Sequence, residues 1–170
     1  MVRPILSFEH PALRSKARRV PKVDQSIQRL LDDLAETMLA APGVGLAAPQ
    51  IGVLLRAIVV KGEENHIYQL VNPELVRSEG SQLGYEGCLS YPGWVGEVER
   101  AEAIVVKGRN RQGKEVRIKA ASFTARAFLH ELDHLEGVLF IDRLTSLDTL
   151  RRIEDLEEEG EPSLAEAVNA

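Results

Sequence analysis

The sixteen residues SFTARAFLHELDHLEG, from Ser122 to Gly137, decide how the rest of the sequence is interpreted. Their apolar side chains recur at intervals of three and four residues, which is typical of an α-helix with one face in a protein core. Gly137 suits the position just beyond such a helix, because glycine adopts a left-handed backbone without strain. The stretch predicts a helix from Ser122 to Glu136 whose apolar face carries Phe123, Ala127, Phe128, Leu132 and Leu135.

Two histidines lie four residues apart in this helix, His130 and His134, with Glu131 directly after the first. Residues four apart are about 40° from eclipsed around an α-helix, so both imidazoles point the same way and are able to hold one metal ion. Glu131 lies beside the pair, where it is placed to act as a general base toward a water that the metal activates. The pattern predicts a catalytic metal site, which takes three protein ligands and keeps one position open.

The spacing of the two histidines does not identify the third ligand. A metzincin would carry a histidine at position 140, but Phe140 stands there, which excludes that class. Cys88, in the loop-like segment EGCLS, is one candidate. A zinc peptidase with a glutamate ligand would instead take an acid from the tail of the chain, where the candidates are Glu154, Asp155 and Glu157. A structural, non-catalytic site would be closed by a fourth ligand such as His66 or His10.

Outside the central helix, the sequence predicts two further helices and a set of short strands. An amphipathic helix is expected over 24–41, with Asp24 as its N-cap, and an acidic helix over about 147–160. The glycine-rich segments 43–52 and 84–93 predict loops. Short β-branched and apolar runs predict strands at Ala57–Val60, Ile67–Val71, Leu75–Ser78, Val95–Val98, Ala103–Val106 and Glu115–Lys119. The predicted fold class is α+β, with antiparallel β-sheets packed around the helix that carries the metal-binding motif and with N-terminal and C-terminal helices.

Composition places the chain among ordinary globular proteins. Its 170 residues, 44% hydrophobic and 28% charged, predict a single domain over 1–170. One cysteine cannot form an internal disulfide, which favours a reducing compartment, and we expect a cytoplasmic protein. The net charge of −5 disfavours a broad nucleic-acid-binding face, so no DNA partner is expected, although a local basic patch is compatible with it. No signal pattern and no apolar run of membrane-spanning length is present, so no membrane partner is expected.

Three segments together resemble the signature motifs of the peptide deformylases. They are GVGLAAPQ at 43–50, EGCLS at 86–90 and HELDH at 130–134, in this order along the chain. The resemblance extends over a core of about 4–144. It implies a metal-dependent hydrolase that removes the formyl group from the N-terminal formyl-methionine of newly made polypeptides and releases formate.

The resemblance also implies roles for matched residues. Cys88, His130 and His134 would bind one divalent metal ion per chain, with Fe(II) expected and nickel, cobalt or zinc as substitutes. Glu131 would be the general acid and base. Gln50 and the backbone amide of Leu89 would donate hydrogen bonds to the negative oxygen of the tetrahedral intermediate, a role that suits a side-chain amide because it donates and does not ionise.

The remaining motif residues are expected to form a peptide cleft. Gly43 and Gly45 lack a Cβ atom and would let an extended N-formyl-methionyl peptide pair with the backbone at Val44 in the manner of an added strand. Arg100 is a candidate contact for a downstream carbonyl, or else a solvated charge at a strand end. The candidate walls of a methionine pocket, which are equally plausible core positions, are Gly84, Phe123 and Ala127.

The charge of the C-terminal tail differs from that of some family members. Some bacterial members have a basic C-terminal helix that docks on the ribosome, whereas acidic residues outnumber Arg151 and Arg152 in this tail. An acidic helix is repelled by ribosomal RNA. Docking on the ribosome through this helix is therefore not supported, and a solvated surface helix is expected.

Overall fold

The computed structural model describes residues 1–158 and the short strand at 168–169. Three α-helices and nine strands lie in these parts of the chain. In chain order they are α1 (Gln25–Ala40), β1 (Gly45–Ala47), β2 (Ala57–Lys61), β3 (Ile67–Glu79), β4 (Gln82–Cys88), β5 (Tyr91–Arg100), β6 (Ala103–Arg109), β7 (Glu115–Ala121), α2 (Ser122–Leu135), β8 (Arg151–Arg152), α3 (Ile153–Glu158) and β9 (Val168–Asn169). The predicted α+β class with antiparallel sheets is confirmed.

Two sheets divide the strands between them. The five-stranded sheet has the order β1-β2-β3-β6-β7, and the four-stranded sheet has the order β8-β5-β4-β9. Neighbouring strands pair antiparallel, except that β4 and β9 pair parallel. β4 ends at Cys88 and pairs with β5 along its length, and the Sγ atom of Cys88 lies 3.5 Å from His134 of α2.

The two long helices pack on opposite faces of the five-stranded sheet. Ile58 and Val60 of β2 belong to the core cluster that includes Phe128 of α2, while Val59 packs with Leu34 of α1. This alternation follows from the period of two in a β-strand. Burial of one apolar stripe of each helix therefore fixes α2 against the sheet and holds its metal-binding motif inside the protein.

The helix boundaries follow their predicted signals closely. The Asp24 carboxylate accepts a hydrogen bond from the backbone amide of Ile27 and so caps α1 as expected. Gly137 has a φ of +73°, the left-handed conformation expected just beyond α2.

The two glycine-rich segments are not simply loops. Gly45–Ala47 forms β1, which pairs with β2, and 84–88 lies within β4. Long-range backbone pairing decides both structures and overrides the weak local preference of glycine-rich sequence for a strand. The prediction of a loop across 84–93 holds only for the turn between β4 and β5.

The separate strands predicted at 67–71 and 75–78 form one strand, β3. Asn72 stands between them with a φ of +51°, and the register with β6 shifts between Val71 and Glu74 and again between Leu75 and Arg77. A β-bulge therefore carries the strand through the Asn-Pro sequence that suggested a break.

The predicted tail helix is largely wrong in the described residues. A short 3₁₀ helix spans Leu147–Thr149, and Arg151–Arg152 forms β8 against Trp94 and Val95 of β5. The guanidinium of Arg152 lies 5.2 Å from the centre of a Trp94 ring, so this tertiary contact favours the extended backbone over a helix. Only Ile153–Glu158 is helical, and the predicted end at Gly160 lies outside the described residues.

None of the helices in the described chain is both long enough and apolar enough to cross a membrane.

Candidate active site

Three buried side chains converge where α2 meets the end of β4. His130 and His134 on α2 and Cys88 on β4 offer ligand atoms that all lie within 4.8 Å of one another. The two Nε2 atoms are 3.1 Å apart, and the Cys88 Sγ lies 3.5 Å from the Nε2 of His134. Across the described chain this is the one group of three potential ligands within such a distance. The acids of α3, His66 and His10 are not part of it.

The protonation states of these groups suit a bound cation. Burial raises the pKa of the Cys88 thiol to about 12, although the backbone amides of Ser90 and Tyr91 lower it in part. Burial also holds the pKa of His134 well below its usual range, and the neighbouring His130 acts in the same direction. His134 is therefore neutral and able to ligate, while Cys88 requires a cation to become a thiolate.

The chemistry of the donors fits a transition-metal ion. A thiolate with two imidazoles is a ligand set for borderline to soft cations such as Fe(II), Co(II), Ni(II) and Zn(II), and not for Mg²⁺ or Ca²⁺. Three protein ligands leave one position open in a tetrahedral site, as in catalytic centres. The residues present thus fit the divalent ion that the sequence motif suggested.

Glu86 orients the first histidine. Its Oε1 atom accepts a hydrogen bond of 2.8 Å from His130 Nδ1, which leaves the lone pair of Nε2 directed at the ligand cluster. Burial by itself raises the pKa of Glu86, but hydrogen bonds from Arg100 and His130 hold this pKa well below its usual range. Glu86 is therefore a buried carboxylate at neutral pH. Sequence reasoning quoted Glu86 within its motif and assigned it no role.

Arg100 helps to orient His130 by holding Glu86, and it is buried. Its guanidinium donates to both oxygens of Glu86, at 2.7 and 2.8 Å, and to Asp133 at 2.7 Å. Only 7% of its surface is exposed, so the expectation of a solvated strand-end charge is wrong. With its donors turned toward two carboxylates, Arg100 is not placed to hold a substrate carbonyl, and we assign it to the buried ion-pair network. Asp133 also accepts hydrogen bonds from Arg143, which links the network to the surface.

Arg126 completes this network and was missed from the sequence. Its Nη1 atom donates to Glu86 Oε2 at 2.7 Å and to the carbonyl of Val98 at 2.9 Å, and the residue is 3% exposed. Because β4 and β5 pair Gly84 with Val98, this side chain ties α2 to both strands. One signal was available, since Arg126 precedes His130 by four residues and so lies on the same helix face.

Replacing Arg126 by methionine should weaken metal binding. Methionine keeps much of the side-chain volume but leaves Glu86 with one arginine, so His130 loses part of its fixed orientation. Loss of a group that supports a ligand in this way costs about 10- to 100-fold in metal affinity or activity. Competition with a chelator would measure the affinity. Arg126→Lys, which keeps the charge, should recover part of it, and equal affinity in wild type and both variants would contradict this role.

Glu131 stands beside the ligand cluster with both carboxyl oxygens buried. Neither oxygen has a hydrogen-bond partner among the described residues, and Oε1 lies 4.0 Å from His134 Nε2. Burial raises the pKa of Glu131 well above its usual range, and the negative charge of Glu86 adds to this rise. A buried polar group without a partner is costly, so this carboxyl is held ready for a ligand that comes from outside the chain.

Gly45 makes room for Glu131. A Cβ atom at position 45 would lie 3.0 Å from the Cγ, Cδ and Oε2 atoms of Glu131. β1 is thereby able to run directly over the carboxyl group. The resemblance places Gly45 in the peptide cleft, and this close approach to Glu131 is a second reason for a glycine there.

The substitution Gly45→Ala should therefore lower the rate without removing the metal. The added methyl group displaces the Glu131 carboxyl by a few tenths of an ångström or more, and such misplacement of a catalytic group costs up to about 100-fold in rate. We expect kcat to fall by about 10- to 100-fold with unchanged metal content, measured by initial rates and elemental analysis. Wild-type kcat in Gly45→Ala would show that the carboxyl position is not constrained by β1.

Gln50 directs its amide group toward the ligand cluster. Its Oε1 atom accepts a hydrogen bond of 2.9 Å from the amide of Ala47, which fixes the orientation of the side chain. Its Nε2 atom then lies 3.7 Å from Cys88 Sγ and 3.2 Å from Ser90 Oγ. Gln50 thus caps a backbone group and also presents a donor at the site. Leu89 lies in the turn between β4 and β5, directly after Cys88.

The predicted cleft residues Gly43, Val44 and Gly45 lie just before and at the start of β1, and Gly45 is the one that contacts Glu131. The carbonyl of Val44 accepts a hydrogen bond from Lys61 and so already serves the sheet, while the amide of Gly43 donates to Met38. Val44 and Phe123 line one cavity of about 360 Å³. The other two proposed pocket walls are not part of that lining, since Ala127 packs in the core with Phe128 and Gly84 lies against the guanidinium of Arg126.

Comparison with known proteins identifies the family of this chain. Residues 2–150 match the family model described as polypeptide deformylase. A peptide deformylase of Thermomicrobium roseum is 49% identical over 166 residues, covering 93% of this chain and 94% of the relative. One of Symbiobacterium thermophilum is 52% identical over 158 residues, covering 92% of this chain and 72% of the relative.

Solved structures agree with this relationship. The crystal structure of a peptide deformylase from Legionella pneumophila superposes with a TM-score of 0.83 at 43% identity, covering 88% of this chain and 89% of that one. The crystal structure of peptide deformylase from Thermus thermophilus has a TM-score of 0.82 at 42% identity, covering 97% of this chain and 95% of that one.

Proposed function

The chain belongs to the polypeptide deformylase family, and from this premise we propose that Cys88, His130 and His134 hold the divalent ion of its active site. The protein is a hydrolase that removes the N-formyl group from newly made polypeptides. The observation that supports the site most directly is the convergence of one thiol and two imidazole nitrogens within 4.8 Å, all buried. A bound cation would offset the cost of desolvating these three donor atoms together.

The reaction converts a formamide and one water into formate and a free amine. A formamide is an unactivated acyl group, so the water must lose a proton and the carbonyl must be polarised. When bound, the divalent ion supplies a Lewis acid that polarises the carbonyl and lowers the pKa of water. Glu131 is placed to receive the proton, because its carboxyl oxygens are desolvated, unpartnered and beside the ligands.

The same carboxyl group returns the proton to the leaving nitrogen. Carbon–nitrogen cleavage yields an amine only if that nitrogen is protonated, and Glu131 then carries the proton it took from water. Its raised pKa favours both halves of this transfer, since a more basic carboxylate is a better acceptor of the proton from water and the resulting acid still releases it to a more basic amine.

Gln50 and the Leu89 amide complete the site as donors to the negative oxygen of the tetrahedral intermediate. The Gln50 side chain is fixed beforehand by Ala47, so little reorganisation is needed when charge develops. The peptide backbone is proposed to lie along Gly43, Val44 and Gly45 as an added strand, with the formyl group toward Glu131.

We further propose that Fe(II) is the cellular ion, with nickel, cobalt or zinc able to replace it. The thiolate and imidazole donors accept each of these ions. This proposal places the protein in the cytoplasm, because its substrates are polypeptides that are being synthesised. Its single domain would span the whole chain.

Formate release from a formyl-Met-Ala-Ser peptide tests the function. We expect formate and the free amine in equal amounts, with no cleavage of the unformylated peptide. A glutamate-ligated peptidase would instead cleave an internal bond, and a closed structural site would release nothing. Elemental analysis of anaerobically purified protein, run beside this assay, tests Fe(II) separately from the reaction.

A further inference from the structure

The short strand β9 lies directly beside the metal site. This strand, Val168–Asn169, pairs in parallel with Glu86 and Gly87 of β4. The next residue of β4 is the proposed ligand Cys88. Because paired strands run about 4.8 Å apart, the backbone of β9 lies one strand spacing from the chain that carries this ligand. A segment that is distant in sequence thus returns to the candidate active site.

Closure of the sheet edge does not by itself account for β9. β4 pairs with β5 along one edge, and in the described chain its other edge has a strand partner only at 86–87. No described strand covers that edge at 82–85, which is farther along β4 from Cys88. β9 also comes close to α2, the helix that carries the two histidines. The covered part of the edge is therefore the part at the metal site.

The proposed peptide cleft opens at the same place. Gly45 of β1 lies against the Glu131 carboxyl group, and the Nε2 atom of Gln50, which follows β1, lies 3.7 Å from Cys88 Sγ. The β1 segment and the end of β4 therefore flank the ligand cluster. A formyl group directed at Glu131 has to enter between them, so a strand already paired with the end of β4 takes space that the peptide needs.

We propose that β9 is an autoinhibitory strand, which occupies the peptide cleft and has to leave before a formylated peptide binds. The inference rests on the proposed function, because it takes the space between β1 and β4 as the place of the substrate. Peptides bind many proteins by adding a strand to an exposed sheet edge. Here a segment of the same chain adds the strand and excludes the peptide.

The pairing is short enough to be displaced by a substrate. β9 has two residues, whereas strands in globular proteins usually have about three to ten. Residues 159–167 connect it to the end of α3 at Glu158. A segment on a short tether competes at an effective concentration of the order of millimolar, so even a weak pairing competes with a dilute peptide. Formylated peptides at high concentration would displace the strand.

The double variant Val168→Pro/Asn169→Pro tests the proposal in the whole chain. Proline has no amide hydrogen to donate and disrupts strand pairing, so β9 should no longer bind β4. We expect the Michaelis constant for formyl-Met-Ala-Ser to fall about 10-fold, which corresponds to a strand in place for about nine-tenths of the time. kcat should equal that of wild type, because the strand competes with the peptide and is absent from the enzyme–substrate complex.

The matched control is Val168→Ala/Asn169→Ala. Alanine keeps both backbone amides, so the pairing and the wild-type Michaelis constant should be retained. An alanine variant that behaves like the proline variant would overturn the proposal, because backbone pairing would then not be what holds the strand.

Hydrogen exchange gives a readout that needs neither substrate nor turnover. Parallel pairing engages backbone amides, so exchange at 86–88 should be faster in the proline variant than in wild type and in the alanine variant. Exchange in α1 should be the same in all three proteins, which separates loss of the strand from general destabilisation.

Two results would overturn the proposal without touching the proposed function. Equal exchange at 86–88 in wild type and the proline variant would show that β9 does not bind β4. Faster exchange with an unchanged Michaelis constant would show that β9 closes the sheet edge and does not inhibit. Lack of formate release from every protein would overturn the proposed function, and with it the inhibition, while hydrogen exchange would still report the strand.

Discussion

Replacing Glu131 by glutamine should lower kcat for formate release by about 10² to 10⁴, the range for loss of a general acid or base. Glutamine has nearly the same shape and cannot accept the proton that water gives up. The carboxyl oxygens of Glu131 make no hydrogen bond to the described protein, so the exchange breaks no contact of the fold. We therefore expect the metal content and the melting temperature to remain close to those of wild type.

Glu136→Gln is a suitable control for this variant. Glu136 follows α2, and its carboxylate pairs with Arg56 and Lys16 near the surface, away from the ligand cluster. Its replacement should leave kcat unchanged. Turnover of Glu131→Gln near the wild-type rate, with metal bound, would show that another group transfers the proton.

Replacing Gln50 by leucine should lower kcat by about 10² to 10³, the cost of removing one donor from an oxyanion hole. The Michaelis constant should change little, because the donor acts on charge that develops only in the transition state. Initial rates over a range of peptide concentrations separate the two constants. A change confined to the Michaelis constant would make Gln50 a binding residue.

A second variant at position 50 separates catalysis from folding. Leucine also removes the acceptor for the Ala47 amide, and a buried amide without a partner costs about 1–3 kcal/mol of stability. Gln50→Glu keeps that acceptor and replaces the donor by an oxygen atom. Both variants should lose kcat at temperatures where each is folded, which separates loss of the donor from loss of the Ala47 hydrogen bond, although the buried carboxyl of Gln50→Glu has a stability cost of its own.

The central helix and the placement of two histidines on one of its faces could be predicted because their signals are local. The apolar period of α2, Gly137 beyond its end, and the four-residue spacing of His130 and His134 all lie within one short stretch. The N-cap at Asp24 is of the same kind. Periodicity and capping act over a few residues, so the sequence displays them directly.

The support of the ligands could not be predicted, because it depends on residues distant in sequence. Glu86 meets His130, Arg100 and Arg126 only after β4 and β5 have paired beside α2. The exposed position expected for Arg100 is wrong for this reason, since no local pattern marks a buried ion pair. The strand β8 is a similar case, because its two arginines are held by β5 and by Trp94.

Titration of the metal-free protein with Co(II), followed by absorption, tests whether Cys88 is the third ligand of the metal ion. Cys88 is the one cysteine of the chain, so a thiolate-to-cobalt charge-transfer band has a single source. We expect a band that saturates at about one Co(II) per chain, with formate release returning in parallel, and no such band in Cys88→Ala. Absence of the band in wild type, or its persistence in Cys88→Ala, would contradict the assignment of Cys88 as the third ligand.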